Sequence, residues 1–228
     1  MAKQNQEKVL AAQAAIKEVK GGMRLGLGSG STLDAFVTEL GKRKYPGPVT
    51  CASKATEALA KKVGLKVMSL EDIMTMKKGK KGSEPYLDLY VDGADEVDKA
   101  FNLIKGGGGA LTREKVVASA SNDFLCLVDS TKVVKKLGKF PLPIEVIPFA
   151  EPFVMMELTE LGAKPVKRKG YLTDNGNIIL DTSGLNFSDP LQLETELNNI
   201  PGIVENGLFA VRQAERVIVG KGDKADYL

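Results

Sequence analysis

The fold is decided by the stretch Arg24-Leu-Gly-Leu-Gly-Ser-Gly-Ser-Thr-Leu-Asp34, which runs from an apolar segment through a glycine-rich loop into a helix-like segment. Residues 24–28 are predicted to form a strand, and a helix is predicted from Ser31 to about residue 43. Glycines let the backbone turn tightly and approach a ligand, and a helix N-terminus offers N–H groups that bind anions. The loop is therefore typical of a phosphate site, or else of a helix capped by Ser31 with Asp34 three residues later.

Strands and helices are predicted to alternate along the first part of the chain. The predicted strands lie at 49–53, 66–70, 86–91 and 124–128, and the predicted helices at 4–19, 54–63 and 112–121. Such alternation predicts an α/β fold built on a mostly parallel sheet.

The pattern changes at the linker Phe140-Pro-Leu-Pro143. Beyond it the predicted order is strand, helix, strand, strand, helix, strand, at residues 144–148, 151–161, 164–169, 177–181, 189–199 and 203–209. This is the order of a ferredoxin-like unit, and Asn175-Gly176 is a strong hairpin signal between its two central strands. A further core strand is predicted at 216–220. We therefore expect a large domain at 1–138, an inserted ferredoxin-like α+β small domain at 139–210, and a return to the large domain at 211–228.

The composition narrows the possible chemistry. Of the 228 residues, 43% are hydrophobic and 27% are charged, which is ordinary for a protein with a packed core. There is no histidine, which excludes Ser-His-Asp and Cys-His catalysis and histidine-ligated zinc. The two cysteines, Cys51 and Cys126, are too few for a disulfide framework or a four-cysteine zinc site. Acid–base chemistry must therefore come from Asp, Glu, Lys, Tyr or Cys side chains, and no metal site is predicted.

Charge and hydropathy argue against nucleic acid and membranes as partners. The formal net charge is only +3, and the basic run Lys77-Lys-Gly-Lys-Lys81 contains no aromatic residue, so it is predicted to be a solvated loop. No apolar stretch approaches the ~20 residues of a membrane-spanning helix, and charged residues interrupt the N-terminus too often for a signal peptide. We expect a cytoplasmic protein.

A second group of candidate residues, Asp92-Gly-Ala-Asp95, follows the predicted strand 86–91. Ligands of α/β sheets bind at the carboxyl ends of the strands, which is where these carboxylates are expected. Asp92 and Asp95 are suited to act as an acid and a hydrogen-bond acceptor toward a polyol, although an acidic solvated turn explains the same residues.

The third group begins with Lys105 and the glycine run 106–109 and continues to Glu114. Consecutive glycines cost chain entropy, so they indicate a backbone that lies against a ligand or forms an anion-binding nest. Lys105 is suited to neutralise charge on a substrate oxygen. Glu114 is suited to be a general base, although a favourable charge on the helix dipole also explains it. A carboxylate base, a lysine, backbone donors and a phosphate cradle together indicate a sugar-phosphate isomerase or a related enzyme.

In these segments the sequence resembles ribose-5-phosphate isomerases of the A type, and the resemblance extends in order over nearly the whole chain. The segments that carry it are Gly28-Ser-Gly-Ser-Thr32, Tyr90-Val-Asp-Gly-Ala-Asp-Glu96, Ile104-Lys-Gly-Gly-Gly108, Ala110-Leu-Thr-Arg-Glu-Lys115, Leu137-Gly-Lys-Phe-Pro-Leu-Pro143, Thr173-Asp-Asn-Gly-Asn177, and Pro201-Gly202 with Gly207-Leu-Phe209. The resemblance implies a Rossmann-like catalytic core with an inserted ferredoxin-like lid. It also implies that no metal or organic cofactor is needed and that the protein is a homodimer or homotetramer.

The resemblance further implies roles in converting D-ribose 5-phosphate to D-ribulose 5-phosphate through a cis-enediolate. Glu114 would be the base that shuttles a proton between C2 and C1. Asp92 and Asp95 would bind the sugar and assist ring opening, and Lys105 would stabilise the enediolate oxygens. The implied substrate-binding residues are Ser29, Gly30, Ser31, Thr32, Gly93, Ala94, Gly106, Gly107, Gly108, Lys132 and, with a weaker match, Lys8.

The sequence departs from the family pattern at a few positions. Ser29 stands where many members have threonine, Gly109 extends the glycine run where alanine is common, and the insert 77–85 is longer than expected. Two other functions stay open at this stage. One is a sugar-phosphate deaminase–isomerase, whose amino-sugar chemistry relies on a histidine that this chain lacks, and the other is a non-catalytic sugar-phosphate sensor.

Overall fold

The structure is a computed structural model of the chain, and it describes residues 2–76 and 86–228. The basic run 77–81 and the insert 77–85 lie outside the described residues. The chain divides into two compact units, one made of Met1–Gly93, Arg113–Thr131 and Ala214–Leu228, and the other of Ala94–Thr112 and Lys132–Gln213. The domain ranges 1–138, 139–210 and 211–228 stay a prediction.

The elements of both units are numbered in chain order. The helices are α1 (Ala2–Ala15), α2 (Ser31–Lys42), α3 (Lys54–Lys62), α4 (Leu70–Thr75), α5 (Leu111–Ser119), α6 (Glu151–Glu160) and α7 (Pro190–Asn198). The strands are β1 (Leu25–Leu27), β2 (Pro48–Cys51), β3 (Lys66–Val67), β4 (Leu87–Asp92), β5 (Glu96–Val97), β6 (Leu103–Ile104), β7 (Ser121–Asp129), β8 (Leu142–Val146), β9 (Lys164–Lys167), β10 (Ile178–Ser183), β11 (Ile203–Asn206), β12 (Leu208–Phe209), β13 (Arg216–Lys221) and β14 (Lys224–Tyr227).

The first unit is built on a seven-stranded sheet with the order β14-β13-β7-β4-β1-β2-β3. Every neighbouring pair is parallel except β13 and β14. The central strands β4 and β7 are buried along most of their length, as expected where helices cover both faces of a parallel sheet. Helix α2 contributes Leu33, Phe36, Val37 and Leu40, all buried, to the core of this unit. The mainly parallel sheet confirms the predicted α/β fold class.

The strand order of this sheet reverses between β1 and β4. From β1 the sheet extends through β2 and β3 on one side, and through β4, β7 and β13 on the other. Ligands of open α/β sheets bind outside the carboxyl ends of the strands at such a switch point. The residues that follow β1 and those that end β4 therefore occupy the usual ligand position of this fold.

The second unit contains the predicted ferredoxin-like order, from β8 through α6, β9, β10 and α7 to β11. Its antiparallel four-stranded sheet has the order β11-β8-β10-β9. Between β9 and β10, Gly176 has φ +83°, which explains the glycine in the hairpin signal at this point. Buried aliphatic residues of β8, such as Ile144 and Val146, pack with Val154 and Leu158 of α6 in the core. A separate three-stranded sheet has the order β12-β6-β5.

Two predicted strands differ from the structure for local reasons. The predicted strand 203–209 is two strands in different sheets, because Gly207 passes so close to the carbonyl of Lys105 that a Cβ there would overlap it. The predicted strand 66–70 ends at Val67, because the Ser69 hydroxyl accepts the N–H of Asp72 at 3.0 Å and caps α4. In the part of the chain that the structure describes, no helix is long and apolar enough to cross a membrane.

Candidate active site

In the first unit, the loop after β1 lies against the carboxylate that ends β4. The two strands are parallel neighbours, so both carboxyl ends reach the same edge of the sheet. Asp92 is fully buried, and its Oδ1 accepts the N–H of Ser29 at 2.9 Å and that of Gly93 at 2.7 Å. A Cβ at Gly28 would overlap the Asp92 carboxyl group, so only glycine fits there. Asp92 therefore holds the glycine-rich loop at the switch point.

Tyr90 contributes a further hydrogen bond to the same carboxylate. The Tyr90 hydroxyl donates to Oδ2 of Asp92, and the ring packs on Phe124 with 4.8 Å between centroids. Burial, followed by the charges of Asp92 and Glu114, raises the pKa of Tyr90 well above its ordinary value of 10.0. The phenol consequently keeps its proton and remains a donor to Asp92.

Glu114 lies in the first turn of α5, where the helix dipole favours a negative charge. Its side chain is buried, and its Oε1 accepts a hydrogen bond from the hydroxyl of Ser29. The structure thus brings together three residues that the sequence placed in separate motifs, Ser29, Asp92 and Glu114. A buried, oriented carboxylate of this kind is suited to remove a proton from carbon.

Helix α2 is preceded by Gly30, its N-cap residue, whose φ of +93° favours glycine. The capping-box interpretation is wrong, because this helix end has no side-chain cap. Instead, the Ser31 hydroxyl accepts a hydrogen bond from Nζ of Lys8 at 2.9 Å. Thr32 lies beside Gly93, since a Cβ at Gly93 would be 4.0 Å from that of Thr32. A cationic side chain, hydroxyls and helix N–H groups meet here, which is suitable chemistry for a phosphate.

The second unit carries the other predicted residues, and Asp95 is central among them. Its Oδ2 accepts the N–H of Gly107 at 2.7 Å, so the aspartate and the glycine run are neighbours. Lys105 is only 3% exposed, and its Nζ lies 5.5 Å from the centroid of the Phe209 ring. This geometry is of the cation–π type, and Lys105 directly precedes the glycine run.

The structure also shows residues that the sequence analysis missed. The guanidinium of Arg168 donates to the carbonyl oxygen of Gly107 at 3.1 Å, and the hydroxyl of Tyr171 donates to that of Gly108 at 2.8 Å. No local signal marks Arg168, because 61 positions separate it from Gly107.

Two further predicted residues are Lys132 and Ala94. Lys132 ends a short 3-10 turn, with its Nζ 6.0 Å from the centroid of the Phe140 ring. Ala94 is half-buried and joins Gly93 to Asp95. Over residues 2–76 and 86–228, no group of three or more His, Cys, Asp or Glu side chains is placed to hold a metal ion.

Comparison with known proteins assigns the chain to a family. A sequence model of the family described as Ribose 5-phosphate isomerase A (phosphoriboisomerase A) matches residues 49–224. The chain belongs to the ribose 5-phosphate isomerase A family. Ribose-5-phosphate isomerase A of Legionella pneumophila (strain Lens) is 48% identical over 222 residues, which cover 97% of this chain and 98% of the relative. Its counterpart from Acidithiobacillus ferrooxidans is 48% identical over 214 residues, which cover 93% of each chain.

Solved structures of ribose 5-phosphate isomerases share the fold. The enzyme from Neisseria gonorrhoeae is 39% identical with a TM-score of 0.92, over 99% of this chain and 96% of that one. A D-ribose-5-phosphate isomerase in complex with phospho-erythronic acid is 38% identical with a TM-score of 0.89, over 97% of each chain. The predicted resemblance to the A-type ribose-5-phosphate isomerases is confirmed, and so is the prediction of an isomerase.

Proposed function

We propose that this chain interconverts D-ribose 5-phosphate and D-ribulose 5-phosphate through a cis-enediolate, with Glu114 as the base. The observation that carries the proposal is the buried Glu114 carboxylate, oriented by the Ser29 hydroxyl in the first turn of α5. Membership of the ribose 5-phosphate isomerase A family supports the substrate. The non-oxidative pentose phosphate pathway is the corresponding metabolic context.

The reaction moves one proton between two neighbouring carbons. Glu114 removes the proton from C2 of the opened aldose, the C2–H electrons form a C1=C2 double bond, and the C1 carbonyl oxygen takes the negative charge. The proton of the C2 hydroxyl passes to the C1 oxygen. Glu114 then returns its proton to C1, where the C1=C2 electrons form the new C–H bond, while the electrons left on the C2 oxygen form the ketose carbonyl. A positioned base typically contributes about 10²–10⁴-fold to the rate of such a step.

The proposal gives Lys105 and the glycines 106–108 the role of stabilising the enediolate oxygens. The ammonium group and backbone N–H groups are the donors that favour developing negative charge. Support comes from the buried position of Lys105 and from the hydrogen bond that fixes Gly107 on Asp95. The phospho-erythronic acid of the solved relative also fits, because its carboxylate has two oxygens in a plane, like a cis-enediolate.

Asp92 and Asp95 are proposed to bind sugar hydroxyls and to assist ring opening. Both oxygens of Asp92 already accept hydrogen bonds from Tyr90, Ser29 and Gly93. These hydrogen bonds fix the carboxylate at the end of β4, where ligands of open α/β sheets bind. Lys8, Gly30, Ser31 and Thr32 are proposed to bind the phosphate side of the substrate, which the contact between Lys8 and Ser31 supports. Lys132 is proposed to bind the substrate.

The experiment is proton NMR of ribose 5-phosphate with the purified protein in deuterated buffer that contains EDTA. We expect ribulose 5-phosphate to form with deuterium incorporated at the exchanging carbon, without added metal. Glu114→Gln should abolish both conversion and exchange while the protein stays folded. Glu71→Gln is the matched control, because Glu71 is an exposed glutamate in the first turn of α4.

Two results would contradict the proposal. Near-normal turnover by Glu114→Gln would exclude Glu114 as the base. Binding of ribose 5-phosphate by the wild-type protein without conversion or exchange would favour the sugar-phosphate sensor instead.

We further propose a cytoplasmic homodimer or homotetramer whose ferredoxin-like region, 139–210, acts as a lid. The family resemblance supports these points. Light scattering of the eluting protein tests the assembly, because the monomer has a mass of 24.4 kDa. A monomeric mass for fully active protein would exclude the oligomer.

A further inference from the structure

Arg168 joins a carboxylate to the backbone of the glycine run. Its Nε and Nη2 donate to the two carboxylate oxygens of Asp181 at 2.9 and 2.5 Å, in a bidentate pair. The same guanidinium reaches the carbonyl oxygens of Gly107 through Nη1 at 3.1 Å and Gly106 through Nη2 at 3.5 Å. Asp181 thereby fixes the plane of the guanidinium, and the guanidinium fixes two consecutive peptides.

Tyr171 extends this arrangement by one peptide. Its hydroxyl donates to the carbonyl oxygen of Gly108 at 2.8 Å, and Arg168 lies 5.3 Å from the centroid of its ring. Three consecutive glycine carbonyls are thus held by two side chains that follow β9. Because a trans peptide directs its N–H opposite to its C=O, fixing these carbonyls also fixes the direction of the next N–H groups.

The glycine run needs such external contacts to keep one conformation. Glycine has no side chain to restrict its backbone, and it loses more conformational freedom on folding than any other residue. Gly106 and Gly109 have φ values of +96° and +77°, so other residues are disfavoured at both positions. On the opposite side from the carbonyl contacts, the N–H of Gly107 donates to Asp95.

We propose that Arg168 is a positioning residue for the isomerisation, acting through the peptide that joins Gly107 to Gly108, with Tyr171 holding the neighbouring carbonyl of Gly108. This inference rests on the proposed function, in which the glycine run stabilises the enediolate oxygens. The N–H groups of Gly107 and Gly109 already donate to Asp95 and to the carbonyl of Gly106. The guanidinium orients the Gly107 carbonyl, and hydrogen bonding of a cation to this carbonyl polarises the amide so that the N–H of Gly108 becomes a stronger donor.

The contribution of Arg168 should be larger in the transition state than in the substrate complex. The negative charge that the amides stabilise develops only as the enediolate forms. Interactions that strengthen only at that point raise kcat rather than lowering KM. Loss of Arg168 should therefore lower kcat with little change in KM, and should weaken binding of phospho-erythronate more than binding of substrate.

The experiment compares Arg168→Ala, Tyr171→Phe and Lys167→Ala with the wild-type enzyme. Lys167 is the matched control, because it is the neighbouring cation and pairs with Glu151 at 2.5 Å instead of with the glycine run. Removing a direct oxyanion donor costs about 10²–10³-fold in kcat, so we expect about tenfold for the indirect contact of Arg168. Tyr171→Phe should lower kcat less, Lys167→Ala should leave it unchanged, and methylguanidinium should partly restore Arg168→Ala.

A second readout follows the backbone without relying on turnover. The amide resonances of Gly107 and Gly108 should shift, and their hydrogen exchange should accelerate, in Arg168→Ala but not in Lys167→Ala. Should Arg168→Ala fail to fold, both measurements are made on Tyr171→Phe, because this variant removes only a hydroxyl.

A kcat within about twofold of wild type in the folded Arg168 and Tyr171 variants, or unchanged amide resonances of Gly107 and Gly108, would overturn the inference. An inactive wild-type protein would instead overturn the proposed function, which is a distinguishable outcome.

Discussion

Ser29 donates its hydroxyl hydrogen bond to Oε1 of Glu114, although 85 positions separate the two residues in the sequence. The backbone N–H of the same serine donates to Asp92. One residue therefore connects the loop after β1 with the carboxylate that ends β4 and with the proposed base on α5. This gives Ser29 a second role, since its resemblance-based role is to bind the phosphate side of the substrate.

Ser29→Ala should lower kcat by about 10–100-fold, because a hydrogen bond to a charged group is worth about 1.5–3 kcal/mol. Ser29→Thr keeps a hydroxyl and should retain most of the activity. Steady-state kinetics of both variants, alongside the exposed-serine control Ser188→Ala, measure the effect. Equal kcat values for wild type and Ser29→Ala would show that Glu114 needs no orientation by this hydroxyl.

Gly28→Ala should destabilise the protein and impair turnover. The added Cβ would overlap the Asp92 carboxyl group, so the loop after β1 must shift away from it. Forcing an extra carbon into a packed site typically costs about 1–3 kcal/mol. Gly21→Ala is the control, because nothing lies within 4 Å of a Cβ at that position. Thermal melts of the two variants should differ, and equal melting temperatures would disprove the overlap.

Glu7 should make the stability of the first unit sensitive to acid. Its pKa is lowered from 4.5, chiefly by the N–H of Gly222 and then by the hydroxyl of Ser130. A carboxyl whose pKa is lower in the folded state than in the unfolded state stabilises the protein at any pH above its unfolded-state pKa. This stabilisation is lost as the pH falls through the lowered, folded-state pKa. Unfolding free energy measured from pH 7 to pH 3 should therefore fall less for Glu7→Gln than for wild type.

The exposed Glu71 provides the comparison, through Glu71→Gln. That variant should follow the wild-type curve. A Glu7→Gln curve parallel to wild type below pH 5 would show that Glu7 does not contribute to acid unfolding.

Glu145→Gln should destabilise the second unit. Glu145 is fully buried, and its two oxygens accept hydrogen bonds from four neutral donors. These donors are the hydroxyls of Thr112 at 2.5 Å and Thr173 at 2.8 Å, and the side-chain amides of Asn175 at 3.1 Å and Asn177 at 2.8 Å. Glu145→Gln replaces one acceptor oxygen by an NH₂ group, and this NH₂ group would face these hydroxyl or amide donors. We expect a loss of about 1–3 kcal/mol, the cost of leaving a buried polar group unsatisfied.

Denaturant unfolding measures this loss, with Glu160→Gln as the control on the exposed side of α6. Thr112 precedes Glu114 by two positions on α5. Because the Glu145 carboxylate accepts the Thr112 hydroxyl, we expect Glu145→Gln to lower kcat as well. Unchanged unfolding midpoints for Glu145→Gln and Glu160→Gln would show that the carboxylate charge is dispensable.

Local sequence patterns were sufficient to predict the element types and most of the candidate residues. The apolar run 86–91 followed by Asp92 predicts a buried strand that ends in a carboxylate, and β4 is such a strand. The Asn175-Gly176 pair predicts the hairpin between β9 and β10 for the same reason, because glycine accepts the positive φ that the turn requires. In contrast, the separation of β11 from β12 depends on the approach of Gly207 to Lys105, which is not encoded within the strand itself.

The sequence by itself determined the α/β class, the ferredoxin-like order and the identity of the acidic, lysine and glycine residues proposed for catalysis. These features follow from periodicity, turn preferences and motif spacing, which act over a few neighbouring residues. Only the tertiary structure decided which side chains hold these groups in place. Glu114 is held by Ser29, Asp92 by Tyr90 from within its own strand, and Gly107 by Arg168. These contacts depend on which distant backbone segments lie next to each other and on which rotamers the packing allows. Neighbouring sequence determines neither of these two factors.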